Sequence, residues 1–222
     1  MLPPTHERND ARPLRKPPTA MTRRRTLRRL RRLLAVSLCA FGSLLLLISL
    51  YREVSAVHLP PLPLAYHFIP SPNIDDRPAP EDVSCVVLHS TVIPTTEDTV
   101  RVFLDPKTQV SAHFVVGKDG QVIQMVPIEK RAWHAGESIL EGRPRVNEYS
   151  VGIEMVNLND GIDPYSEAQV HAVAGIIRFL RSRYDIPDSR IVSHAQIALP
   201  AGRKSDPANF DFARLFQLAK RF

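Results

Sequence analysis

Two histidines, two acids and a lysine stand where one reaction centre could use them. His89 and His194 each close a short apolar run, Val86-Val87-Leu88-His89 and Ile191-Val192-Ser193-His194. Imidazoles arriving from two strand ends can share a metal ion, although unrelated polar residues closing two buried strands would read the same way. The run Gly202-Arg203-Lys204-Ser205-Asp206-Pro207 sets a cation and a carboxylate two residues apart, shortly after His194. Adding Asp206 gives two imidazole nitrogens and one carboxylate oxygen, a set that zinc accepts while keeping a fourth position open for water. Lys204 could face the same space, or the two charges could be a solvated loop pair. Glu154 lies in Val151-Gly152-Ile153-Glu154-Met155-Val156, an otherwise apolar stretch. Strand alternation puts Ile153 and Met155 on one face and Gly152, Glu154 and Val156 on the other. A carboxylate desolvated there has a raised pKa and suits proton transfer, whereas on an edge strand it would face water.

Positioning these groups needs strands that end together. Val83 to Leu88 predicts a buried strand, and a helix follows from about Glu97 to Leu104, stopped by Pro106. His113–Val116 and Gln121–Val126 flank Lys118-Asp119-Gly120, a hairpin signal. Ser150 to Val156 is another strand. Ser166 caps the strongest helix, with Gln169 three residues on to complete a capping box and an apolar stripe of Val170, Val173, Ala174, Ile177 and Leu180. Ile191–Val192 is a short strand, and Phe210 to Phe222 a terminal helix. Strands interspersed with helices give an α/β domain on a single sheet flanked by helices, and the hairpin makes that sheet mixed.

The chain has 222 residues, of which 44% are hydrophobic, enough for one packed domain with extensions. Its net charge of +6 is uneven: residues 1–32 hold eleven Arg or Lys against Glu7 and Asp10, or +9, which leaves +6 − 9 = −3 for the remainder. That distribution argues against nucleic acid, since the acidic remainder has no basic stripe. Residues 1–32 read as a disordered basic arm. Residues 33–51, LLAVSLCAFGSLLLLISLY, carry no charge and suit one transmembrane helix or a signal segment, with Val54-Ser55-Ala56 as a possible cleavage site. The dense positive flank would stay in the cytoplasm, which predicts either a single-pass membrane protein with its domain in the periplasm or a secreted one. Residues 52–82 are proline-rich and read as a linker, and residues 83–222 as the catalytic domain. Cys39 lies in the apolar run and Cys85 in the first strand, so a disulfide between them is not expected.

The order of six segments resembles the zinc-dependent N-acetylmuramoyl-L-alanine amidases, the family of T7 lysozyme, the anhydromuramyl-peptide amidases and the peptidoglycan recognition proteins. The segments are Val87-Leu88-His89-Ser90-Thr91, Val110-Ser111-Ala112-His113-Phe114, Arg131-Ala132-Trp133-His134-Ala135-Gly136, Ser150-Val151-Gly152-Ile153-Glu154, Val192-Ser193-His194, and Gly202-Arg203-Lys204-Ser205-Asp206-Pro207. The resemblance implies zinc ligation by His89, His194 and Asp206, with Glu154 and Lys204 catalytic. Asp206 stands where T7 lysozyme and the recognition proteins place Cys, and Ala112 where they use Tyr, which sets this chain with the bacterial enzymes. His134 would line a substrate cleft, Trp133 would be either a cleft wall or plain core, and His113 would be core or support. The implied reaction is hydrolysis of the amide between N-acetylmuramic acid and L-alanine in peptidoglycan or muropeptides. A non-catalytic peptidoglycan-binding module on the same fold is the alternative. A zinc peptidase is disfavoured because no His-Glu-x-x-His helix is present. The segment from Ala195 to Arg203 runs about two residues beyond the family spacing, and Ala208 replaces a Gly after Asp-Pro.

Overall fold

The computed structural model describes residues 67–78 and 82–220. The basic arm and the expected transmembrane segment lie outside the described residues, among which no helix is long and apolar enough to cross a membrane. Ten strands and four α-helices alternate along this region. In chain order they are β1 His67–Phe68, β2 Ile74–Asp76, β3 Cys85–Ser90, α1 Thr96–Leu104, β4 Phe114–Val116, β5 Val122–Gln124 and β6 Lys130–Ala132. Then follow β7 Ile139–Leu140, β8 Arg143–Pro144, β9 Ser150–Met155, α2 Glu167–Arg181, β10 Ile191–Ser193, α3 His194–Ile197 and α4 Phe212–Leu218.

Six strands form the main sheet in the order β1-β5-β4-β9-β3-β10. Strands β4, β9, β3 and β10 run parallel, and β5 is antiparallel to β4. The mixed sheet follows from the hairpin: Gly120 takes φ +84, and its N–H bonds Gly117 O at 3.0 Å, so two short strands reverse without a crossover. Strands β3 and β9 are buried along their length, as expected for central parallel strands covered on both faces.

Alternation divides the core. Leu88, Val151, Ile153 and Met155 point to one face, where Val173, Ile176, Ile177 and Leu180 of α2 and Leu215 of α4 cover them. Each such side chain contributes about 1.5–3 kcal/mol on burial. Val87, Tyr149, Val192 and Ile197 pack on the opposite face, next to a second patch of Val115, Met125, Val100 and Phe103. His89 and Glu154 belong to that opposite face by the same alternation.

Helix α2 begins as expected at Ser166, whose hydroxyl accepts from Gln169 N at 3.1 Å. The reciprocal half of the capping box does not form. Gln169 turns inward instead, and its Nε2 donates to Val116 O at 2.9 Å and Val156 O at 3.1 Å, satisfying two strand-end carbonyls.

The fold starts before residue 83, which shortens the expected proline-rich linker. Strand β1 pairs with β5 and β2 with β6. Ile69 N and Ser71 N bond Gln124 O and Met125 O, so Pro70 and Pro72 fall at alternate positions where no N–H is needed. Arg77 then runs into the interior and donates to Ile128 O, Asn147 O, Glu148 O and Ser150 O. Strands of two and three residues leave too little periodicity to be read from sequence.

Candidate metal centre

The neighbouring parallel strands β3 and β9 place His89 directly beside Glu154 in register, at their C-terminal ends. Crevices at such strand ends are where α/β sheets present chemistry. His194 follows β10 immediately as the first residue of α3. Ser193 caps that helix with a complete capping box to Gln196, and this fixes the turn that swings His194 toward His89. Residues 199–205 are exposed before the chain returns to bury Asp206. Arg203 holds this outward bulge by donating to Leu199 O and Glu137 O, and Ala195 N bonds Asp206 O at 2.9 Å. The longer spacing between His194 and Lys204 is thus absorbed on the surface. Ala208 is accommodated too, with Asn209 taking the left-handed conformation at φ 56.

The three expected ligands meet. His89 Nδ1 lies 3.0 Å from His194 Nδ1. Asp206 Oδ2 is 3.3 Å from the first nitrogen and 3.2 Å from the second. All three residues are buried, and one ligand atom from each falls within 4.8 Å of the others. The far side of each imidazole is also engaged: His194 Nε2 lies 3.2 Å from Ala135 O, and His89 Nε2 3.0 Å from His134 Nδ1. A carbonyl can only accept, so His194 carries its proton on Nε2 and turns the Nδ1 lone pair toward the shared point. Two imidazole nitrogens and a carboxylate oxygen converging on one point are a fitting donor set for a divalent cation.

Electrostatics agree with this geometry. Burial pushes His89 down to about 4, against the pull of the adjacent Asp206 carboxylate, so the ring is neutral. Burial would raise Asp206, but its contacts with the His194 and His89 imidazoles outweigh it and hold the carboxyl well below the usual range. Glu154 moves the other way: burial, then the Asp206 charge, push it up to about 8, with Lys204 opposing. Its Oε2 is sealed from solvent and has no hydrogen-bond partner among the described residues. Lys204 is exposed, and its charge is felt at both Glu154 and His89.

The two residues expected in a substrate cleft are placed differently from each other. Trp133 is half-buried, and its indole bonds the Asp75 carboxylate. His134 is buried behind His89 with both nitrogens engaged, Nδ1 by His89 and Nε2 by Ser150 Oγ at 3.2 Å. His113 is buried as well: Gly152 N donates to its Nδ1 at 3.0 Å, and its Nε2 donates to Lys130 O at 3.1 Å. Cys85 is a buried free thiol that burial pushes up to about 12.

A mixed α/β sheet with a buried His/His/Asp cluster beside an unpartnered carboxylate defines a class of domain that can hold a metal ion next to a proton acceptor. Comparison with known proteins names the family. Residues 79–209 match the family model described as N-acetylmuramoyl-L-alanine amidase. The 1,6-anhydro-N-acetylmuramyl-L-alanine amidase AmpD of Citrobacter freundii is 36% identical over 166 residues, covering 66% of this chain and 86% of its own. A crystal structure of a selenomethionine AmpD derivative superimposes with TM-score 0.60 at 30% identity, over 72% of this chain and 98% of that one. The Escherichia coli amidase AmiD, solved with anhydro-N-acetylmuramic acid-L-Ala-D-γ-Glu-L-Lys, superimposes with TM-score 0.55 at 30% identity, over 61% of this chain and 57% of that one. The chain belongs to the N-acetylmuramoyl-L-alanine amidase family, enzymes that hydrolyse the amide joining N-acetylmuramic acid to L-alanine in peptidoglycan fragments.

These relatives correct the expected localisation. The chain matches AmpD enzymes over most of their length, and those are named for 1,6-anhydro-N-acetylmuramyl compounds. On that match the anchored or secreted extracytoplasmic placement is withdrawn.

Proposed function

We propose that this domain hydrolyses 1,6-anhydro-N-acetylmuramyl peptides, freeing the stem peptide at L-alanine, with zinc held by His89, His194 and Asp206. The observation that carries this reading is the convergence of those three ligand atoms within 4.8 Å, with Glu154 in register beside His89. The substrates named for AmpD and bound to AmiD support the anhydro form.

The scissile amide is a poor electrophile with a poor leaving group. Zinc in such a site supplies Lewis acidity, which polarises a carbonyl and acidifies water. Burial raises Glu154, the charge of a bound cation would favour its ionised form, and the unpartnered Oε2 of that carboxylate takes the proton as water attacks. The same oxygen then delivers that proton to the departing nitrogen of L-alanine, returning the carboxylate to its starting state. Lys204 neutralises the charge that develops on the amide oxygen. His89, His194 and Asp206 are all buried, and the two imidazoles are held from behind by His134 and by Ala135 O.

The test is to incubate the chain with an anhydromuramyl tripeptide, with and without chelator, and identify the products by mass spectrometry. Release of a peptide beginning at L-alanine, lost with chelator and regained with zinc, is the expected result. Retained binding without release would instead support a peptidoglycan-binding module. Cleavage inside the stem would identify a peptidase and refute the reading.

A further inference from the structure

His134 does not reach the shared ligand point, yet it touches the ring that does. Its Nδ1 lies 3.0 Å from His89 Nε2, and the two rings meet edge to face with centroids 5.1 Å apart and an interplanar angle of 82°. We infer that His134 is a positioning residue: it accepts the Nε2 proton of His89 and so fixes the tautomer that leaves Nδ1 free to bind metal. This rests on the reading of His89 as a metal ligand.

Proton counting makes the case. A hydrogen bond between two imidazoles needs one donor and one acceptor. If His134 donated through Nδ1, His89 would accept at Nε2 and carry its own proton on Nδ1, directed at His194 and Asp206, where a metal could not bind. If His134 accepts, its own proton sits on Nε2, where Ser150 Oγ stands 3.2 Å away to receive it. The chain Ser150, His134, His89 then runs in one direction and ends in a lone pair at the shared point.

The strand beneath His134 is shaped to receive it. A Cβ on residue 152 would stand 2.5 Å from His134 Cγ and 2.6 Å from its Cδ2, so only glycine leaves room for the ring. Ser150, Gly152 and Glu154 follow one another on the same face of β9 and therefore serve the anchor, the seat and the expected base in turn. Ala135, the next residue, offers the carbonyl that fixes His194. One short segment, His134-Ala135, thus braces both histidines from behind. Such outer partners usually raise metal affinity about 10- to 100-fold.

The test measures zinc affinity by chelator competition in the full chain, alongside the melting temperature of the metal-free protein. His134→Leu keeps bulk and removes the acceptor; His134→Asn offers a carbonyl oxygen near the position of Nδ1. Expected results are zinc binding weakened about 10- to 100-fold in His134→Leu and largely restored in His134→Asn. Gly152→Ala leaves the acceptor chemically intact but displaces the ring, and should weaken zinc similarly. Wild-type affinity in His134→Leu overturns the inference. So does a loss common to His134→Leu and His134→Asn that follows their melting temperatures, which would make the ring mere filling. If the wild-type chain takes up no zinc while His89→Ala melts normally, the metal reading itself has failed, and this inference with it.

Discussion

At the metal centre, function depends on which atoms carry protons. Glu154 is held up to about 8 by burial and then by Asp206, so its carboxylate is a far stronger acceptor than an exposed one. Glu154→Gln keeps the shape and removes that basicity. It should retain zinc and lower kcat by about 10²–10⁴, as read by metal content beside turnover on an anhydromuramyl peptide. Turnover near the wild-type rate would remove Glu154 from its role. Lys204→Ala should lower kcat by about 10²–10³ with a smaller effect on KM, since its charge matters most as negative charge develops on the amide oxygen; a rise in KM alone would make Lys204 a binding residue instead. His89, His194 and Glu154 could be picked out in the sequence because their types are rare in apolar strands, and Lys204 and Asp206 because their segment resembles one of the family's. The place of His134 could not, because its partners His89 and Ser150 lie 45 and 16 residues away. The available signal was Gly152: a glycine inside a buried strand often marks a close approach by another group.

The elements were legible where periodicity is long. Helix α2, strands β3 and β9 and the Asp-Gly hairpin follow from apolar spacing, capping and turn chemistry. What escaped was structure made from polar bonds rather than apolar pattern: the two edge strands before residue 83, α3 with its four residues, and the inward turn of Gln169. The last of these carries a prediction. Gln169→Ala removes the donor to Val116 O and Val156 O; Val116 O keeps its bond from Val156 N, while Val156 O is left unpaired. A loss of about 1–3 kcal/mol is expected in chemical denaturation, well beyond the effect of helix propensity, which favours Ala. Stability equal to or above wild type would mean that water replaces these bonds without penalty.

Across the whole molecule, buried neutral histidines couple stability to pH. Burial holds His113 down to about 3 and His89 to about 4, and lowers His134 as well. In the unfolded chain these groups titrate near about 6.5. Between those values the unfolded chain binds protons that the folded protein refuses, so stability falls as pH drops. Glu154 acts in the opposite sense: raised to about 8, it favours the fold at low pH and loses that contribution as pH rises through about 8. The metal-free protein should therefore have its highest melting temperature near neutrality and lose it steadily from about pH 6.5 downward; a flat profile over that range in scanning fluorimetry would mean the histidines are not buried and neutral. Zinc content by mass spectrometry, measured for wild type, His89→Ala, His194→Ala and Asp206→Ala after equal exposure to the metal, tests the account most directly. One zinc per wild-type chain and almost none in each folded variant is the expected result. Full zinc in any one of the three variants would contradict it.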